Sequence, residues 1–447
     1  MAKTFREWKV AQPWLLPPSV QELVPAGSPA HFIRDLVREE LDLSAILDCY
    51  QEERGFPPFH PAMMTALLLF AYTQGVYSSR RIAKACEARL DFMAVTAAQK
   101  PDFRTINKFR KRHLKALADL FGQVLRLCQQ AKMVKLGHVA LDGTKIQANA
   151  SKHKAMSYGR MKKTEKELAA EVAKWFELAE AADESEDAEY GADKRGDEMP
   201  DWVKNKAKRL EVIRKAKAEL EAKAKAEVEA QNDSPDDDPS PPRGRGGSRT
   251  RKMPKPNGEP NDAAQLSFTD KESKILKGPN GFLQGYNCQA AVDSASQVIV
   301  AHSTEAAQND APMLLPIVDQ IAQRTGTFPD ELSADTGYIS EANLEGLEQR
   351  GVRAYIATGR QRHGTRAGVR LGTQKGTRIA AMRKRLERAG HRSRYRLRKQ
   401  TVEPVFGQIK EGRGFRRFSL RGKEQVAHEW ALVCTAHNLL KLAKKCA

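Results

Sequence analysis

Apolar positions recur at three- and four-residue spacing through the first third of the chain. They alternate at strand spacing near residue 140 and again beyond residue 285, and the stretch between is highly charged. Residues 1–135 therefore read as an all-helical domain. His31–Glu40 predicts one short helix, and Pro61–Gln74 a strongly apolar one opened by a proline. Arg80–Glu87 predicts a third, capped by Ser78 or Ser79, with Gly75 between it and the second. Two helices across a short glycine-containing turn, the second led by Arg80 and Arg81, fit a DNA-binding helix-turn-helix as well as an ordinary helical corner. A longer helix is predicted from about Thr105 to Ala131, with Leu114, Leu117, Phe121, Val124 and Cys128 on its inner face.

Gly137–Lys145 reads as a short strand, because Val139 and Leu141 alternate with smaller neighbours before Asp142-Gly143 signals a turn. Residues 151–231 are rich in Ala, Lys and Glu, with apolar positions at helical spacing, and predict a charged helical hairpin broken near 183–200. The Asp, Pro, Gly, Ser and Arg of 232–262 predict a flexible linker. Together 151–265 form an insert, since strand signals resume beyond it. Gly285–Asp293 and Gln297–His302 pair as a hairpin, followed by a helix, a strand ending at Asp335, a helix, a strand at Arg353–Ala357, and two closing helices. The expected core, 136–150 with 266–447, is thus an α/β domain built on a mixed five-stranded sheet with helices on its faces.

Charge narrows the choice of partner. The chain has 447 residues and a net charge of +19, and residues 360–423 hold 21 Lys/Arg against three acids. So basic a span favours a polyanionic partner, nucleic acid in particular. No run is apolar enough for a membrane span, and Met1–Trp14 lacks a secretory core. The six cysteines form no Cys-x-x-Cys pair, as expected of reduced thiols in a cytoplasmic protein.

Three acids stand out by position. Asp142 and Asp335 each leave the end of a short apolar strand and are followed within two residues by glycine, and Glu403 lies where a helix is predicted to begin, with Thr401 as its cap and Pro404 in its first turn. Carboxylates on separate elements of one domain suit a pair of Mg²⁺ ions, with Mn²⁺ as the substitute, Asp142 bridging and the others completing one side each. Lys410 follows Glu403 by nearly two helical turns and shares its face, where an ammonium can hold a phosphate.

These residues resemble the transposases of bacterial insertion sequences that carry an Asp-Asp-Glu triad on an RNase H-like, retroviral-integrase-type core. The matching pieces are Asp142–Ser151, Gly285–Asp293, Asn309-Asp310, Ala334–Tyr338 and Val402–Lys410, with Val76–Arg80 and Phe103–Ile106 similar to the helical domain that precedes such cores. The resemblance implies that Asp142, Asp335 and Glu403 bind Mg²⁺, and that the enzyme cuts element ends and joins them to target DNA as a homo-oligomer. A related signature, Tyr-x-x-Arg-x-x-x-Glu-x-x-x-x-x-x-Lys, is matched by Tyr395, Arg398 and Lys410. Here, however, four residues separate Arg398 from Glu403, and Lys399 stands at the arginine position. Expected DNA contacts are Lys410, Arg398, Tyr395, Arg416, Arg417, Arg80 and Arg81. The alternatives are a metal-dependent nuclease on the same core, cutting without joining, and a non-enzymatic DNA-binding protein.

Overall fold

The computed structural model describes residues 19–50, 57–150, 155–190, 201–232, 255, 257–262, 264–278, 281–306, 309–359, 377–389 and 394–446. Contacts divide the chain into two compact units. The first comprises 1–146, 287–420 and 424–447, and the second 147–286 with 421–423.

The described residues of the first unit open with seven helices: α1 (Pro29–Glu39), α2 (Ser44–Leu47), α3 (Pro61–Thr73), α4 (Ser79–Ala88), α5 (Leu90–Thr96), α6 (Phe103–Arg112) and α7 (Leu114–Gln130). Pro61 starts α3 as its sequence predicts, and α3 is buried from Met64 to Thr73 because it is apolar on every side. Gly75 (φ +70°) ends that segment. A Cβ there would lie 2.6 Å from the Arg413 carbonyl oxygen, so only glycine fits. The long helix predicted over Thr105–Ala131 is two helices. His113 leaves helical geometry (φ −108°, ψ 17°) and is buried, its ring stacked on Tyr50 and its Nε2 3.1 Å from the Tyr50 hydroxyl. A tertiary contact thus overrides a continuous helical pattern.

Among the described residues the main sheet has six strands, not five. It comprises β1 (Val139–Gln147), β4 (Lys274–Gly278), β5 (Gly281–Asp293), β6 (Ile299–Glu305), β7 (Glu331–Ala334) and β8 (Arg353–Ile356), with β2 (Ala155–Ser157) and β3 (Gln265–Ser267) forming a separate pair. The order is β4-β5-β1-β7-β8, and β6 also pairs with β5. The strand missed in the sequence is β4, which runs antiparallel to the first residues of β5 inside the second unit. β1, β7 and β8 are parallel, whereas β5 and β6 are antiparallel, so the sheet is mixed. β1 does not stop at Asp142-Gly143 but continues through it. A Cβ on Gly143 would meet Gln289 Nε2 at 2.7 Å and Asn287 Oδ1 at 3.0 Å. The glycine therefore serves a close approach to β5, not a turn.

Among the described residues, four helices of this unit flank its strands: α10 (Leu314–Thr325), α11 (Glu341–Gln349), α12 (Arg378–Ala389) and α13 (Leu397–Gly407), the last continuing into a π turn at Gln408–Gly412. The chain ends in α14 (Lys423–Cys446), longer than the Trp430–Leu442 helix its apolar run predicts. Pro404 lies inside α13, which begins at Leu397, so Thr401 is a buried mid-helix residue instead of a cap. Proline cannot donate to the carbonyl of Gln400, and the Gln297 side chain does so instead at 3.0 Å. On α14, Trp430 Nε1 donates to the Gln289 carbonyl at 3.1 Å, and Asn438 pairs with both backbone groups of Ile299 at 2.9 and 2.8 Å. Buried Glu429 accepts the N–H groups of Ser419 and Leu420 at 3.0 Å each and the Tyr72 hydroxyl at 3.4 Å. Glu429→Ala removes the acceptor of the buried Leu420 N–H and Tyr72 hydroxyl, and a loss of about 3 kcal/mol is expected in urea unfolding.

In the second unit, α8 (Tyr158–Tyr190) and α9 (Asp201–Asn232) are the two long charged helices predicted. Met161, Leu168, Leu210, Ile213 and Leu220 meet Leu266 of β3 in their core. The unit is therefore not helical alone. Of the expected linker, 233–254 and 256 lie outside the described residues. The described end packs instead of hanging free: the Asp262 carbonyl accepts from Gly159 N–H at 3.1 Å, and Glu259 meets Lys162 and Lys255 at 3.5 and 3.3 Å.

Candidate active site

Asp142 and Thr144 alternate along β1 and so face the same way. The Asp142 side chain is 16% exposed, and its Oδ1 accepts the Gly143 N–H at 2.8 Å. Burial pushes its carboxyl up to about 6; Arg398 opposes that shift, while Asp335 and Glu403 add to it. On the parallel neighbour β7, the chain leaves the sheet at Ala334, and Asp335 caps a short 3₁₀ turn by accepting the Gly337 N–H at 2.7 Å. Burial raises Asp335 as well, and Asp310 beside it works in the same direction.

Arg398, in the first turn of α13, joins the first strand to the helix. Its Nη1 is 2.6 Å from Asp142 Oδ2 and its Nη2 3.3 Å from Glu403 Oε1, so one planar guanidinium spans the two carboxylates. It also lies over the Tyr395 ring, 5.9 Å from the centroid. Lys410, in the π turn, reaches the same strand, with its Nζ 3.2 Å from Thr144 Oγ1. Asp142, Asp335, Glu403, Arg398, Tyr395 and Lys410 are thus gathered around β1. Arg416 and Arg417 are exposed beyond Lys410, where Arg416 pairs with Glu411 and its Nε donates to the Lys410 carbonyl. Arg80 and Arg81 are exposed at the start of α4, with Arg80 over the Phe103 ring at 5.1 Å.

A further group lies within segments that the resemblance matched, although no role was assigned to its residues. Asp310 Oδ1 accepts Asn287 Nδ2 at 2.6 Å and Gln289 Nε2 at 2.7 Å, and Gln289 Oε1 accepts the Tyr338 hydroxyl. Asp310 Oδ2 and Asp335 Oδ1 both lie within 3.0 Å of the point where a Cβ on Gly337 would sit. The available signal was Asn287 and Gln289 at alternate positions of an otherwise apolar strand, both now buried. Because these amides are held on Asp310, they cannot yield to a methyl group on Gly143. Gly143→Ala is expected to cost about 1–3 kcal/mol by overpacking, measurable as a lower urea midpoint at unchanged slope.

Among the described residues, no three Asp, Glu, His or Cys side chains gather closely enough to hold a metal ion. The donor set still fits a hard divalent cation: it consists of carboxylates, two of them raised by burial, and Asp310 Oδ2 and Asp335 Oδ1 both lie against Gly337, whose lack of a side chain lets them approach.

A mixed sheet with one acid on a strand, a second just past the end of the parallel neighbour and a third on a flanking helix is an RNase H-like arrangement. The model of the family described as Transposase DDE domain matches residues 253–439, and that described as Transposase domain (DUF772) matches residues 18–112. The chain belongs to the insertion-sequence transposases of the DDE type. The first match contains Asp335, Glu403 and Lys410, the second Arg80 and Arg81, and Asp142 lies between them. No curated protein and no solved structure matches the chain. DNA is the partner that family membership implies. Among the described residues no helix is long and apolar enough to cross a membrane. All six cysteines are free, four of them buried.

Proposed function

We propose that this transposase cleaves DNA at the ends of an insertion sequence and joins those ends to target DNA, with Asp142, Asp335 and Glu403 holding Mg²⁺. The observation that carries this reading is the approach of Asp142 and Glu403 to a single guanidinium, with Asp335 near enough to raise the Asp142 carboxyl. When bound, the divalent pair would activate water or a 3′ hydroxyl and stabilise the leaving oxygen in an in-line displacement. Asp142, on which both Asp335 and Glu403 act, would hold the ions together with them. Glu403 is nearly half exposed and Asp142 only 16%, so substrate reaches the cluster from the helix side. Lys410 offers its ammonium beside Thr144 to a phosphate next to the scissile bond. Exposed Arg416 and Arg417 supply non-specific contacts to the DNA backbone.

The test joins a labelled oligonucleotide carrying candidate element ends to a plasmid in the presence of Mg²⁺. Strand transfer that requires all three acids is the expected result. Cutting without joining would favour a nuclease, and neither reaction would leave the acids structural.

A further inference from the structure

We propose that Arg398 is a built-in counter-ion of the carboxylate centre. Its guanidinium stands between Asp142 and Glu403 where a divalent cation is to bind, so metal loading requires Arg398 to withdraw. This inference rests on the reading of the three acids as metal ligands. Buried carboxylates are costly unless paired, and Arg398 supplies the nearest positive charge, 2.6 Å from Asp142 and 3.3 Å from Glu403, with 13% of its side chain exposed. A guanidinium is a far larger cation than Mg²⁺ or Mn²⁺. Charge-assisted N–H···O contacts run at ~2.7–2.9 Å against ~2.1 Å for Mg²⁺–O, so acids arranged around it are spread too widely for a metal. Among the described residues no acid cluster is tight enough for one, as this requires.

The hold on the guanidinium is also incomplete. The Nε–H of Arg398 is buried with no hydrogen-bond partner, so only the two Nη ends are engaged by acids. Arg398 sits in the first turn of α13 on a long flexible side chain. Its guanidinium can therefore swing clear by side-chain torsions while Glu403 and the helix stay in place.

Three roles for Arg398 differ in the sign of one measurement. A counter-ion that metal displaces lowers metal affinity, so its removal raises that affinity. A residue that only aligns the acids would weaken metal binding when removed. A residue that only contacts DNA phosphate would leave metal binding in DNA-free protein unchanged.

The experiment titrates full-length, DNA-free protein with Mn²⁺, following free ion by electron paramagnetic resonance, and records melting temperature in chelator and in Mn²⁺. Arg398→Gln is expected to bind Mn²⁺ about tenfold more tightly than the wild type, since a ligand gains the free energy no longer spent displacing a competitor. It should also melt lower in chelator and show a larger rise on adding Mn²⁺. Arg398→Lys, which keeps the charge but loses the two-ended grip, should fall between the two and serves if the glutamine variant does not fold. Unchanged or weaker Mn²⁺ binding in a folded variant overturns the proposal. If Asp142→Asn binds Mn²⁺ as the wild type does, it is the metal-ligand reading beneath the proposal that fails.

Discussion

Asp142→Asn is expected to abolish strand cleavage and joining, a loss of at least about a thousandfold, while affinity for element-end DNA stays within about twofold. The substitution keeps the shape of the side chain and an oxygen able to accept the Gly143 N–H, now 2.8 Å away. It removes one negative charge from a side chain packed among Asp335, Glu403 and Arg398. Arg398 retains Glu403 as a partner, so the buried cation is not stranded. The fold should therefore survive, and circular dichroism with a melting curve separates lost chemistry from lost structure. Glu403→Gln and Asp335→Asn should behave alike. Near-normal turnover by any of the three would remove that residue from the proposed centre.

Lys410→Ala should be nearly as damaging to the reaction, but for a different reason. The Lys410 ammonium lies against Thr144, two residues along β1 from Asp142. A charge there acts on the phosphate that reacts, and contacts to a reacting group matter most in the transition state. Arg416 and Arg417 are exposed, and the ion pair of Arg416 with Glu411 is a surface one of little energetic weight. Neutralising either should weaken binding to any DNA and lower the salt slope by about one unit, as for one lost phosphate contact. Lys410→Ala should instead depress single-turnover cleavage by about a hundredfold or more with a much smaller change in affinity. Equal losses of binding and turnover would make Lys410 one more member of the basic surface.

The elements that carry the acids were legible because strand and helix patterns are local. The apolar runs before Asp142 and Asp335 announce β1 and β7, and the spacing within 158–232 announces α8 and α9. Errors arose where a distant partner decided the local conformation. Asp142-Gly143 has the chemistry of a turn, yet β1 continues because Gly143 admits the side chains of Asn287 and Gln289. Pro404 has the chemistry of a helix start, yet α13 begins seven residues earlier because a side chain from position 297 satisfies the carbonyl that proline leaves open. The extra residue between Arg398 and Glu403 put Lys399 where a signature expects arginine. Arg398, at the first turn of its helix, is nevertheless the residue that reaches both acids, and Lys399 is exposed. Asp310 was visible only as part of the Asn309-Asp310 match, with no role attached, since its two amide donors become meaningful only once β5 is seen to be buried around them.

Gln297 has a mechanical role beyond completing one hydrogen bond. It occupies the turn between β5 and β6 with φ +57°, and its amide nitrogen holds the Gln400 carbonyl of α13. Its amide oxygen accepts Lys441 Nζ at 2.9 Å, and its own carbonyl meets His437 Nε2 at 2.9 Å, both on α14. One residue at a strand turn is thus the fulcrum on which the helix bearing the third acid is set against the sheet bearing the first two. A substitution at position 297, which no substrate need touch, is therefore expected to reach α13 through that tie.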